Sequence, residues 1–193
     1  MDVGCHVIDR IDYLCGPLTN VSGYAENRCS PAQAVEDYVS LSAKIGRRAA
    51  GSAATDGDAF PAIQSEGAIV ECEWDFGNKE EKEPIDELVL AGPKGSLRMA
   101  AMSPSLPVEV LDSKGDFVQT LTFEAPQHAA QALIQMVTDD VRGVGRAPSR
   151  ADNAARTSKA LDAVLSAYYG GRNDMFWLRE GEWPGQKEGS KCI

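Results

Sequence analysis

Histidine is scarce in this chain, aromatic residues are sparse and positive charge is in deficit. There are 2 His among 193 residues, aromatics make up 7%, and 19 Lys plus Arg face 29 Asp plus Glu, a formal charge of −10 at pH 7. An acidic chain repels phosphate backbones and anionic membrane surfaces, so neither nucleic acid nor a membrane is an expected partner. No apolar run approaches the roughly 18 residues of a membrane span. The first residues carry Asp2, Asp9, Arg10 and Asp12, unlike a signal or transit peptide. The 5 Cys (Cys5, Cys15, Cys29, Cys72 and Cys192) are odd in number and irregularly spaced, with no C-x-x-C. His6 and His128 lie far apart, so no metal site is expected. Reduced, mostly buried thiols point to a reducing compartment, the cytoplasm. No G-x-G-x-x-G follows a strand. The nearest cluster, Gly92-Pro93-Lys94-Gly95-Ser96, is too short for a phosphate loop and reads as a strand-to-strand turn.

Apolar residues reach 43% and charged residues 25%, the composition of a soluble globular chain long enough to bury a core. Val7, Ile8, Ile11 and Leu14 recur at helical spacing and predict a helix over Val3–Leu14, ended by Gly16-Pro17. Strict alternation predicts strands over Tyr38–Ile45 and Ala68–Phe76, each with one buried face. Further strands are expected at Ile85–Ala91, Ser96–Ala100, Val108–Leu111 and Phe117–Phe123. The period then changes to 3.6, predicting helices over Gln127–Arg142 and Arg150–Tyr169. Ser149-x-x-Asp152 resembles a capping box, and Gly170-Gly171 ends the last helix. This order predicts an α+β fold, an open and mostly antiparallel sheet with helices on one face. Residues 1–185 are read as one domain and 186–193 as a tail, with Phe176, Trp177 and Trp183 as aromatic anchors.

The residues that point to chemistry lie in the first helix. Asp2 and His6 are four apart and share a face that Asp9 and Tyr13 extend, away from the apolar stripe. Chemistry on an alcohol needs a base at the hydroxyl proton, and imidazole suits that task near neutral pH. A neighbouring carboxylate orients the imidazole and stabilises its charged form. By spacing alone, the same pattern also describes a solvated helix face.

The opening Asp2-Val3-Gly4-Cys5-His6-Val7-Ile8-Asp9, followed by Leu14 and Gly16, closely resembles the D-x-G-x-H-x-x-D…L-x-G segment of the glucose-fructose oxidoreductase and inositol dehydrogenase family (Gfo/Idh/MocA). Gly67-Ala68-Ile69-Val70 is similar to that family's strand after a variable loop. Leu88 to Leu97 resembles its strand–G-x-x-G-S–strand signature, and Pro148-Ser149 with Ala160, Leu161, Asp162 and Val164 resembles its closing helix. The resemblance runs from Asp2 to about Gly185 and implies a C-terminal α+β substrate domain whose free sheet face packs against a second subunit. It implies a sugar, inositol or related polyol as substrate and NAD or NADP as cofactor. Asp2 and His6 are then the catalytic pair, with His6 the proton acceptor, and Asp2, His6, Asp9 and Tyr13 line the substrate. Asp9 matches the motif's second Asp, in a structural or supporting role. The family's nucleotide-binding glycines and its E-K-P lysine have no counterpart here. The chain is therefore expected to be a C-terminal half that does not bind the nicotinamide alone.

The alternative is a non-enzymatic interaction protein that dimerises through the open sheet face, motivated by the alternating strand around Trp74 and Phe76. His128 is read as a cap-region or surface residue. Arg142, Arg146, Arg150 and Arg156 are read as a solvated face that offsets the acidic Glu71–Glu87 region.

Overall fold

A computed structural model describes residues 2–29, 35–47, 66–77, 85–103, 106–124, 127–128 and 130–170, and for Asp2 the backbone alone. The tail at 186–193 and its anchors Phe176, Trp177 and Trp183 lie outside the described residues. The fold is α+β, with three helices and seven strands among the described residues, every strand pairing antiparallel. The chain divides into two compact units. One comprises Met1–Glu81 and Pro148–Ile193, the other Lys82–Ala147. Among the described residues, no helix is long and apolar enough to cross a membrane.

The first unit begins with α1, Asp2–Cys15. Val7, Ile8 and Ile11 are buried as the periodicity requires. The stripe departs from expectation at its end, where Leu14 is only half-buried and Asp12 is buried. Gly16 closes the helix at φ +122°, its N–H donating to the Asp12 carbonyl at 3.0 Å, a conformation that favours glycine.

Strands β1 (Leu18–Glu26), β2 (Tyr38–Ile45) and β3 (Ile69–Asp75) form a three-stranded sheet in that order. No strand is expected over β1 from its sequence, and the structure shows why. The register shifts between Thr19 and Ser22, with Asn20 at φ +52°. A bulge there breaks the period-two alternation by which strands are read. Gly23 is also forced, since a Cβ on it would lie 2.1 Å from the Ser40 carbonyl oxygen. The central strand β2 buries Val39, Leu41, Ala43 and Ile45 on one face. β3 is one residue shorter at each end than the alternation suggests, and Phe76, expected on the buried side, is 64% exposed beyond it. Helix α3, Ala151–Tyr169, packs on β1 and β2 through Ala160, Val164 and Tyr169, and α1 packs on α3. Its N-cap is Arg150 rather than Ser149. The Asn153 side-chain oxygen accepts the Arg150 N–H at 2.7 Å, so Asn153 does the work expected of Asp152. Asn153 also donates to the Pro148 carbonyl at 2.8 Å, fixing the chain's entry into the helix.

The second unit holds β4 (Leu88–Gly92), β5 (Gly95–Met99), β6 (Val108–Asp112) and β7 (Phe117–Leu121), a four-stranded meander in sequence order. Ile85 and Phe123, expected inside strands, fall outside them and are 77% and 68% exposed. Helix α2, Gln131–Val141, starts four residues later than expected. His128 therefore precedes it, exposed, its carbonyl accepting the Gln131 N–H.

Candidate functional site

Helix α1 carries the sequence-identified residues. With about 100° per residue, His6, Asp9 and Tyr13 share one side, and Asp2 opens the same side at the first helical position. His6 is exposed and Tyr13 is 44% exposed. The buried stripe Val7, Ile8 and Ile11 faces the core, so the helix has a packed side and a side on which His6 and Tyr13 are exposed.

Asp9 is half-buried, and its Oδ1 accepts a long hydrogen bond of 3.4 Å from the Thr157 hydroxyl of α3. One turn on, Asp12 is 6% exposed. Arg156 of α3 grips it with two bonds, Nε donating to Oδ2 at 2.9 Å and Nη2 to Oδ1 at 2.7 Å. A fork-to-fork pair of this kind fixes orientation as well as distance. The Asp12 hydrogen bonds raise the Arg156 pKa from its ordinary value against the opposing effect of burial, and the charges of Asp12, Asp152 and Asp9 add to the rise. The Arg156 side chain nevertheless stays 42% exposed, so the solvated face expected of it is kept while its guanidinium also pairs with Asp12. Arg142, Arg146, Arg150 and Arg156 are all exposed, and Arg156 is in addition bonded to Asp12 of α1. A carboxylate buried beside an apolar stripe needs a partner. That rule makes Asp12 suspicious in the sequence, but its partner lies 144 residues away and no local pattern points to it.

A second polar knot closes the far end of the same unit. Asp37, 3% exposed, accepts the backbone N–H groups of Arg28 at 2.6 Å and Cys29 at 2.7 Å. The Tyr169 hydroxyl donates to Glu36. Burial, then the Glu36 hydrogen bond and charge, push the Tyr169 hydroxyl well above its ordinary value. These groups are consumed in joining β1, β2 and α3.

The described residues do not fit a dinucleotide. Such a cofactor needs a glycine-rich turn from a strand into a helix N-terminus, where backbone N–H groups cradle the pyrophosphate. Gly92 and Gly95 instead bracket a hairpin, and a Cβ on Gly95 would meet the Leu111 carbonyl oxygen at 2.2 Å. That glycine is required by close approach of β6. The passage from β7 to α2, the strand-to-helix connection among the described elements of that unit, contains no glycine. No group of three or more His, Cys, Asp and Glu placed to hold a metal ion occurs among the described residues.

No family model matches the sequence, and no curated protein matches it significantly. Solved structures do match. A candidate oxidoreductase from Klebsiella pneumoniae aligns over 93% of this chain and 52% of its own, at TM-score 0.59 and 16% identity. An aldose-aldose oxidoreductase from Caulobacter crescentus, solved with glycerol, aligns over 88% and 44% at TM-score 0.58 and 18% identity. A candidate NADPH-dependent oxidoreductase from Desulfitobacterium hafniense aligns over 86% and 45% at TM-score 0.58 and 16% identity. The chain spans about half the length of each and shares the fold of that half.

Proposed function

We propose that this chain is the substrate-binding domain of an oxidoreductase of the glucose-fructose oxidoreductase and inositol dehydrogenase type, acting on a sugar, inositol or related polyol. The observation that carries this reading is the two-sided helix α1. Its motif face presents His6 and Tyr13 to solvent, while its other face is locked into the core of a fold shared with known oxidoreductases. In this role His6 takes the proton of the reacting hydroxyl and Asp2 orients it, with Tyr13 lining the same face. The part assigned to the described residues is binding, orientation and proton transfer, and the nicotinamide implied by the resemblance would supply the hydride acceptor.

The test is a titration of the 193-residue chain with glucose, myo-inositol and glycerol, followed at the His6 imidazole by NMR. A saturable His6 shift, lost in Asp2→Ala and unaffected by His128→Ala, supports the reading. Absence of any saturable shift at millimolar polyol overturns it.

A second reading is favoured by the exposed apolar side chains of the second unit, among them Leu97 at 36%, Phe117 at 62% and Val118 at 56%. Here the chain is an interaction protein that dimerises through a sheet face. Light scattering separates the two, because a well-folded monomer at micromolar concentration that binds polyol excludes the second.

A further inference from the structure

The face of α1 that bears His6 is only as well placed as the helix itself. The stripe Val7, Ile8 and Ile11 anchors the opposite side, but apolar contacts are non-directional and tolerate a roll about the helix axis. A side-chain tip lies about 5–6 Å from that axis, so a roll of about 20° moves it about 2 Å. A functional group displaced by more than about 0.5 Å is already poorly placed for binding or chemistry. Something directional must therefore set the roll.

The directional contacts come from α3. Asp12 sits at the margin of the buried stripe, and Asp9 lies about 60° further round, between Asp12 and His6. Both are held by consecutive residues of α3, Asp12 by the two-bond grip of Arg156 and Asp9 by the Thr157 hydroxyl. Thr157 is buried at 7% and Asp12 at 6%, so each contact has one partner withdrawn from water, while the Arg156 side chain stays 42% exposed and Asp9 half-buried. The apolar stripe stops α1 from leaving α3, and these contacts stop it from turning.

We infer that Arg156 and Thr157 are positioning residues for the α1 site, with Asp12 and Asp9 as the two handles through which they set the roll of the helix. The inference rests on the reading of α1 as the substrate-facing helix. It reassigns Asp9, whose carboxylate is turned to α3 rather than reserved for substrate.

The experiment compares wild type with Arg156→Gln, Arg156→Lys and Thr157→Val, each at a temperature where near-UV circular dichroism shows it fully folded. Affinity for myo-inositol is read from the His6 shift, and the roll of α1 from NOEs between α1 and α3. Arg156→Gln should weaken binding at least about tenfold, with altered α1–α3 NOEs. Arg156→Lys, which keeps the charge but loses the fork, should recover part of that loss, and Thr157→Val should weaken binding about threefold. Loss of stability with unchanged affinity and NOEs overturns the inference, since the pair would then be structural alone. Should wild type itself give no His6 response to polyol, the functional reading fails by itself. The NOEs still decide whether the α3 pair sets the roll, with unchanged NOEs in Arg156→Gln and Thr157→Val overturning it. If Arg156→Gln does not fold, Thr157→Val decides the same question.

Discussion

The two units bury their strands very differently. In the first, β2 is central to its sheet and α3 covers it, so Leu41 is 0% exposed, Val39 2% and Val164 1%. In the second, the strands are longer in hydrogen bonds than in burial. All five residues of β6 are half-buried, all five of β7 are exposed, and α2 buries none of its described residues. Ala100 and Ala147 are its buried apolar residues among those described. The difference teaches that alternation in a strand reports a face, and a helix must lie on that face before the burial is complete. The proposed site sits on the unit whose core is closed, which suits a face that has to be held still.

The sharpest test of this contrast is a pair of truncations at matched strand positions. Leu41→Ala should cost about 2–5 kcal/mol, the range for large-to-small changes in a packed core, measured by urea unfolding. Leu97→Ala, in β5 at 36% exposure, should cost about 1 kcal/mol or less. Equal costs would erase the distinction between the units.

Gly95 offers a way to break the second unit alone. Gly95→Ala places a Cβ 2.2 Å from the Leu111 carbonyl oxygen at φ +141°, a strain of about 1–3 kcal/mol before any clash is relieved. Amide exchange protection should fall across β4 to β7 while β1 to β3 keep theirs. Loss of protection in both units together would show that they unfold as one.

A smaller effect follows from Asp86 at the start of the second unit. Burial disfavours its charge, but the Ser103 hydroxyl and the backbone N–H groups of Met102 and Ser103 outweigh that and hold its pKa below 3.8. A lowered folded pKa contributes stability that is present above the ordinary value and lost as pH falls through the lowered one. Acid unfolding of the second unit should therefore include a component below pH 3.8 that Asp86→Asn removes. An unchanged acid transition in that variant would count against it.

The least effect is chemical. Burial, with the Glu71 charge beside it, pushes the Cys72 thiol up to about 11. Iodoacetamide at pH 8 should alkylate it about a hundredfold more slowly than an ordinary thiol, because only thiolate reacts. Peptide mass mapping checks this, and rapid labelling in the native protein would show that the face of β3 carrying Cys72 opens readily.

Where the alternation is unbroken, as in Tyr38–Ile45, the residue pattern predicts both the strand and its buried face. It fails at β1, where the bulge at Asn20 disrupts the period, and at the ends of β3, β4 and β7, where the apolar Phe76, Ile85 and Phe123 fall outside the strands and are exposed. The candidate site divides in the same way. His6, Asp9 and Tyr13 are legible because helical spacing is a local property, set by rise and turn within a few residues. Arg156 and Thr157 are not, because their contacts with Asp12 and Asp9 join residues 144 and 148 apart.

Local pattern thus decides that this chain is α+β, that α1 has two unlike faces, and that Val7, Ile8 and Ile11 lie on the packed one. The tertiary structure alone decides that Asp12 is buried and gripped, that Asp9 turns to α3, and that one sheet is covered while the other is only half so. The physical reason is range. Backbone geometry imposes periodicity on neighbours, whereas burying a charge or closing a core depends on which distant segment arrives to pair with it.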